Sequence, residues 1–507
     1  MRWLFALLCW CSALGVARAD GPPVEGLPDY VGWLNERIGA DVAAEDNAFV
    51  ALLPLLRPAD QEAYEPAWLA GVETVLGVDV DPDAGPAIVW VTEWPGVCET
   101  FPDEEAQNAL EERLTDGPWS PADEPAAAAW LTSQAEGFAA LEAAIARPAY
   151  FAPLVRERMS DSMASVLLPH LGDARRQARL LWIRANRDLA MGDTEGVLRN
   201  LVTMRALADH LRHEPILISN LVGASIDSIT AHVAGDLVRG QPLTTEQATR
   251  LAWAMPAEID GFRIADNVDL GERSFMLDAI DWMARRERDP DASPDASAQL
   301  DFGEPDMAVL LRVTAGPGFD RPRAKARSNA LFDRWVEAMR EPAYAEAAEA
   351  VAAVEAELEA ISPPAWLTAL LAVGTVGELA ADAPEMPARE ALTDAVTDQL
   401  LAQFAPSMNA AFRTERARDM KFMLARLTAA LEHTRAKQGQ YPATLAALHE
   451  TLDQPPFGPV TTELFAYRLD DDGRGYRLET LGLGEPGDTE PERLERFELL
   501  FELRRQD

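Results

Sequence analysis

"ARRQARLLWIRANRDLAMGDTEGVLRNLVTMRALADHLRHEP" occupies residues 174–215, and the fold turns on how it is read. Its first half keeps helical register up to Gly192-Asp193, a glycine that can stop one helix followed by an acid that can cap the next. The second half places Val197, Leu198, Leu201, Met204, Arg205, Ala208 and Leu211 on one side at helical spacing. It stops before Pro215, because the residue ahead of a proline is pushed out of the helical region. Two such helices on so short a link fold back as an antiparallel hairpin. The next stretch, "PILISNLVGASIDSITAHVAGDLV" (residues 215–238), is apolar around its whole circumference, the mark of a helix buried in protein. Asn220, Asp227, His232 and Asp236 interrupt it, whereas a membrane span needs about 20 predominantly apolar residues.

Outward from this core, helix follows helix from Ala126 to about Met255, and the pattern resumes near Arg323. "PAYAEAAEAVAAVEAELEAI", "PAWLTALLAVGTVGELAADAP", "MPAREALTDAVTDQLLAQFAP" and "RTERARDMKFMLARLTAALEHTRAKQG" read as successive helices. The expected fold is mainly α: antiparallel helical hairpins stacked as an irregular TPR-like α-solenoid or bundle array, without a repeat of fixed period. Between the helical parts, "RDPDASPDASAQLDFGEPD" is acidic and poor in apolar residues, as a mobile surface loop is. The mature N-terminal part is rich in Pro and Trp. In it "AEDNAFVALLPLLRP" reads as a short helix capped by Asp46 or Asn47, and "GPAIVWVTEWPG" as a strand or an extended packing segment. Trp68, Trp90, Trp94 and Trp119 suit core packing better than a carbohydrate or peptide platform. The divisions expected are a signal peptide at 1–19, a mixed N-terminal region at 20–121 and a helical core at 122–287. An acidic loop at 288–306, a second helical region at 307–419 and an α+β module with a C-terminal helix at 420–507 complete them.

The first residues, "MRWLFALLCWCSALGVARAD", combine Arg2, an apolar run from Trp3 to Val16, and the small-x-small triplet Ala17-Arg18-Ala19. This is the form of an export leader cleaved before Asp20, so the protein is expected in the periplasm or outside the cell. Cleavage removes Arg2 and Arg18 and no acid, leaving 43 bases against 84 acids, a net charge of −41. Such a surface repels phosphate backbones and anionic lipid heads, which argues against nucleic acid and membrane-surface partners. Lysine occurs only at Lys325, Lys421 and Lys437. Cys98 is the one cysteine left in the mature chain, so no internal disulfide forms and stability rests on burial. With 48% apolar and 25% charged residues the chain has material for a proper core, which excludes disorder of the whole.

Two resemblances follow from quoted residues. The succession "PAAAAWL…ARPAYFAPL", "LLPHLGDARRQARLLWIRANRDLAMGDTEGVLRNL", "HEPILISNLVGASID" and "GERSFMLDAIDWM" resembles a group of exported, largely helical proteins common in planctomycete-type bacteria. That resemblance implies fold and export and carries no activity with it. From Met420 to Gly482, a helix, "GQYPATLAAL", "PPFGPVTTELFAYRL" and "GYRLETLGLGEPGD" are similar to the soluble end of type II secretion major pseudopilins. There a helix meets a Tyr-Pro turn, a short helix, a Pro-Phe-Gly loop and a small antiparallel sheet. The prepilin leader and apolar assembly helix of that family are missing here, so assembly into a pseudopilus is not implied. The family's closing loop can hold calcium, and "GLGEPGDTEPE" offers Glu485, Asp488 and Glu490 for it.

HExxH, GxSxG, P-loop and CxxC signatures are all missing from the sequence. His210 and His213 form an HxxH beside Glu214, spaced as metal ligands can be; a solvated polar face near a helix C-terminus is the preferred account of them, because a third ligand is not evident. In "GERSFMLDAIDWMARR", Phe275, Met276, Ala279, Ile280 and Met283 make an apolar face onto which Glu272 projects, with Arg273 at its edge. Asp278 and Asp281 point outward on the same wheel. A carboxylate on a buried side needs a partner or a raised pKa, and Arg176, Arg184 and Arg187 cluster on one face of an earlier helix as candidate partners. Glu272 and Arg273 can thus line an interhelical pocket, Glu272 as general base or ligand anchor, or they fix helix register as a buried ion pair. The leading expectation is a non-enzymatic envelope scaffold that binds a protein or peptide and needs no cofactor. A hydrolase or other enzyme with its site near Glu272 is the alternative.

Overall fold

Gly192 adopts φ +70°, and the Gly196 N–H donates to the Asp193 carboxylate at 3.0 Å. The predicted stop and cap are therefore both present, and the chain reverses between two long helices. The structure, a computed structural model, describes residues 21–507 apart from 56–64, 82–84, 87, 157, 159–160, 257, 287–312, 315–317, 369–387, 454, 458–461, 481–499 and 505–507. The leader at 1–19, the acidic loop at 288–306 and the calcium candidates Glu485, Asp488 and Glu490 lie outside the described residues.

The N-terminal part carries α1 (Tyr30–Gly39), α2 (Ala48–Leu52), α3 (Pro66–Leu76), α4 (Pro95–Thr100), α5 (Glu104–Asp116), α6 (Pro125–Ser133) and α7 (Ala135–Ile145). The hairpins follow as α8 (Pro169–Ala190), α9 (Thr194–Leu211), α10 (Leu217–Gly240) and α11 (Thr245–Ala254). Short α12 (Ile264–Asn267) continues through a π-helical turn, Val268–Glu272, into α13 (Arg273–Arg286). Then come α14 (Arg321–Met339), α15 (Tyr344–Glu359), the 50-residue α16 (Arg389–Gln438) and α17 (His449–Leu452). A three-stranded antiparallel sheet closes the chain as β1 (Phe465–Leu469), β2 (Gly475–Thr480) and β3 (Leu500–Arg504), in the order β1-β2-β3. The protein is thus mainly helical with a small sheet near its C-terminus.

Local rules account for much of this. Asn47, not Asp46, caps α2 through its side chain, and the same amide oxygen accepts from Phe151 N–H at 2.9 Å. The segment around Val89 is extended rather than a strand; its N–H donates to the Gln134 side chain and its carbonyl accepts from Trp130 Nε1. Trp68, Trp90 and Trp119 are buried in the main apolar cluster, and Trp94 packs against it. Helix α10 is enclosed as expected, and no described helix is long and apolar enough to cross a membrane.

Two expectations are corrected. The sequence reads as two helices on either side of Pro406, yet α16 runs through it, and the 419/420 division falls inside this one helix. Leu400 and Leu401 before the proline and Met408 and Phe412 after it are buried in one cluster, so tertiary packing outweighs the lost hydrogen bond. The C-terminal helix expected within 420–507 is, over Leu500–Arg504, strand β3 paired with β2. Phe501 and Leu503 are buried two residues apart, the period of a strand. Gly439 stops α16 at φ +80°, the short helical turns begin at Leu445 after Thr444, and the Pro442 carbonyl accepts from the Tyr467 hydroxyl.

Apolar burial divides into two main clusters. One joins the N-terminal helices and α8–α11 to the C-terminal half of α16 and the sheet. The other joins α12–α15 to the N-terminal half of α16. A smaller cluster seats Tyr30 and Leu34 of α1 against Leu277 of α13. Helix α16 runs through both large clusters, and α10 also joins them, with Leu217 in the second and Val222 and Ile226 in the first.

Candidate functional site

Glu272 ends the π-helical turn, and its Oε1 accepts from the Leu217 N–H, the first residue of α10, at 3.2 Å. The turn lies hard against this helix start: a Cβ on Gly271 would stand 1.9 Å from the Pro215 carbonyl oxygen. Burial pushes the Glu272 carboxyl up to about 7, against the pull of that one backbone donor. The expected arginine partners are elsewhere. Arg176 lies over Trp90 near Glu93, Arg184 binds Glu142 and Asn200, and Arg187 binds Asp188. They face the N-terminal helices and α9, whereas Glu272 sits at the start of α10. Arg273 is buried and bonded to Asp269 at 2.6 Å and Asp333 at 2.7 Å. Asp278 and Asp281, expected outward, are both fully buried. Asp278 accepts from Met163 N–H and pairs with Arg285, and Asp281 pairs with Lys325. Elements on both sides cover α13, which a wheel with a single core face cannot anticipate.

The two histidines do not converge. His210 is buried, stacked on Tyr150 at 5.3 Å, with Nε2 at 2.8 Å from the Ile145 carbonyl, and burial lowers its pKa. His213 uses Nδ1 on the Asp209 carbonyl and lies 3.7 Å from Asp260. Glu214 pairs with a different histidine: His170 Nε2 is 2.9 Å from its Oε1, while Tyr150 and Ser219 donate to the same carboxylate. Among the described residues no group of three or more His, Cys, Asp or Glu side chains is arranged to hold a metal ion.

Sequence reading misses a buried ion network where the two large clusters meet. Asp227 of α10 receives Arg212, the residue that caps the end of α9, and Arg418 of α16, the latter at 2.7 Å. Arg418 also binds Asp419, and Arg263 binds Asp419 at 2.7 Å and Glu415 at 3.1 Å. Burial alone raises the Asp227 pKa, but Arg212, Arg418 and Arg205 outweigh it and hold the carboxyl below its ordinary range. Asp209, at the edge, is pushed up to about 6 by burial despite Arg205. The signal was Asp227 itself, an acid inside an apolar helix, which requires a partner.

Helix α14 has an open concavity on each of two sides. The first, a groove of about 650 Å³, lies between α14, α15 and α16. Leu331, Leu358, Ile361 and Leu401 form its apolar floor. Its walls are charge pairs set along α14. Arg323 makes a two-pronged bond to Asp394 at 2.7 and 2.8 Å, Arg327 does the same with Asp398, and Arg334 meets Glu357 at 2.8 Å. Ala326 and Ala330 are exposed along it. The second, a cleft of about 1030 Å³, contains Arg273 and Arg340 facing Asp266, Asp269, Asp333 and Glu337. Gly21 also lines it. Glu272 is not among the described residues that line either concavity, and no histidine is.

No protein-family model, curated protein or solved structure matches this chain.

Proposed function

We propose that this chain is an exported, non-enzymatic envelope scaffold whose groove between α14, α15 and α16 receives a segment of a protein or peptide partner. The observation that carries the reading is the groove's design: an apolar floor between rows of paired arginines and carboxylates. An amphipathic helix or extended peptide places apolar side chains on such a floor and exchanges polar contacts with such walls. The leader at 1–19 supports an address in the periplasm or beyond, and the net charge of the mature chain disfavours nucleic acid. No cofactor enters this reading.

Finer aspects of the fold belong to the same proposal. The α8–α11 hairpins support a TPR-like stack, whereas the long shared α16 supports a bundle in the second helical part. The order Gly439 cap, Tyr-Pro turn, short helix and antiparallel strands supports a pseudopilin-like C-terminal module. The hydrolase alternative finds less support, since Glu272 bonds to a helix start and lines neither concavity.

The test uses Ala330→Trp, which fills the groove from an exposed position. Mature protein and variant are each used to capture partners from the source envelope extract. A partner retained by the parent and lost by a folded Ala330→Trp supports the reading. Identical captures by both overturn it.

A further inference from the structure

Helix α14 stands as a ridge between the groove and the cleft. Arg323, Ala330 and Glu337 follow one another along it at seven-residue intervals, and all three are exposed. A straight helix drifts only about 20° in seven residues, so these side chains form one line, about 21 Å from end to end. The line reads base, small residue, acid. Arg323 spends Nε and Nη2 on Asp394 and stays 42% exposed, with Nη1 at 3.5 Å from the exposed Glu390. Glu337 has no ion pair among the described residues.

The charged groups on either flank are already paired within the chain. On the groove side Arg327 binds Asp398 and Arg334 binds Glu357. On the cleft side Asp333 binds Arg273, and Arg340 binds Asp266 and Asp269. The three bases that line the groove equal its three acids, on a chain whose net charge is −39. Two copies of so acidic a protein repel one another over most of their surface. The ridge and its groove flank escape that repulsion.

A line of base, neutral and acid matches itself in one direction only. A second α14 laid antiparallel places Glu337 over Arg323, Ala330 over Ala330 and Arg323 over Glu337. Laid parallel, it sets each charge on its like. The antiparallel match is what a twofold axis at Ala330, perpendicular to the helix, generates, and such self-complementary interfaces build the commonest oligomers. Ala330 has no bulk to hold two helices beyond the usual 8–10 Å of packed pairs. The same axis keeps each flank on its own side, so the groove of one copy faces that of the other.

We propose that the protein pairs with a second copy of itself through antiparallel α14 helices centred on Ala330, with Arg323 of each copy against Glu337 of the other. Exposed charge pairs contribute little each, so the association is a micromolar one. The proposal goes beyond the groove reading and does not depend on it. Glu337 lines the cleft, so replacing it leaves every groove residue in place, and the two readings fail separately.

Sedimentation equilibrium of the exported protein at micromolar concentration reads the association, in about 0.15 M salt to shorten the general repulsion to roughly 8 Å. The parent is expected to dimerise. Arg323→Glu makes the line acidic at both ends, and Glu337→Arg makes it basic at both ends. Each variant alone is expected to dimerise about tenfold or more weakly than the parent. The two variants mixed are expected to associate with each other. The double variant, whose line reads acid, small residue, base, is expected to recover the parent's association. Circular dichroism checks that the variants fold as the parent does. A parent that stays monomeric throughout the micromolar range overturns the proposal. So do single variants that associate as well as the parent, or a mixture and a double variant that stay as weak as the singles.

Discussion

Asp227 and Arg418 are 191 residues apart in sequence and 2.7 Å apart in the fold, both shut off from solvent. One belongs to α10 and the other to the middle of α16, where one apolar cluster ends and the other begins. Two cores meeting at a polar band could slide past one another. A buried carboxylate shared by Arg212 and Arg418 permits one register, because any other leaves a charge without its partner.

Asp227→Ala should therefore cost about 3–5 kcal/mol, as removal of one member of a buried ion group does. Urea unfolding monitored by circular dichroism measures this. The carboxyl is held below its ordinary range in the fold, so its contribution is present at neutral pH and is lost as pH falls through the folded value. The gap between parent and variant should accordingly narrow in acid.

Glu272 predicts the opposite pH course. Its folded pKa, about 7, exceeds its ordinary value of 4.5, so the folded state binds the proton more tightly than the unfolded one. Stability from this group is fully present below 4.5 and is lost as pH rises towards 7. Glu272→Gln keeps an acceptor for the Leu217 N–H and carries no charge. The variant should match the parent at pH 4 and exceed it by up to about 3 kcal/mol at pH 8. Melting curves across that range decide it, and a variant less stable at pH 8 would contradict the assignment.

Gly271→Ala tests the close approach that sets Glu272 in place. The added Cβ would stand 1.9 Å from the Pro215 carbonyl oxygen, which is backbone and cannot rotate away. A loss of about 3 kcal/mol or more is expected, at the upper end of overpacking costs. The chemical denaturation midpoint reads it.

Local signals in the sequence located the turns, and pairwise signals did not locate the sites. Gly192-Asp193 and Gly439 are legible because a left-handed glycine and a capping acid act within a few residues. Asp278 and Asp281 are illegible because their partners Arg285 and Lys325 come from a later turn and from another helix. The groove's charge ladders, Arg323 and Arg327 against Asp394 and Asp398, become visible only when helices 71 residues apart lie side by side. Strand β3 is misread for a related reason. Its Phe501–Leu503 alternation is short, and it becomes decisive only once β2 is there to pair with it.

Lys325 supplies the last prediction. Its ammonium is buried against Asp281 and holds the carbonyls of Val24 and Gly26, so one side chain joins α13, α14 and the start of the chain. Lys325→Met strands the Asp281 carboxylate with Arg285 as its remaining nearby cation, and about 3 kcal/mol should be lost. Burial already raises the Asp281 pKa against the pull of Lys325 and Arg285; without the lysine it rises further. The loss should hence be greater at pH 7 than at pH 4, where protonation removes the stranded charge. Adding Asp281→Leu removes the second charge and should restore most of the stability at neutral pH. It cannot restore the two carbonyl bonds. Residues 21–29 of the double variant should therefore be cut by a low dose of protease that spares the parent, even when the two proteins melt together. Equal resistance at that segment would show that α1 and Pro22 hold the chain's start without Lys325.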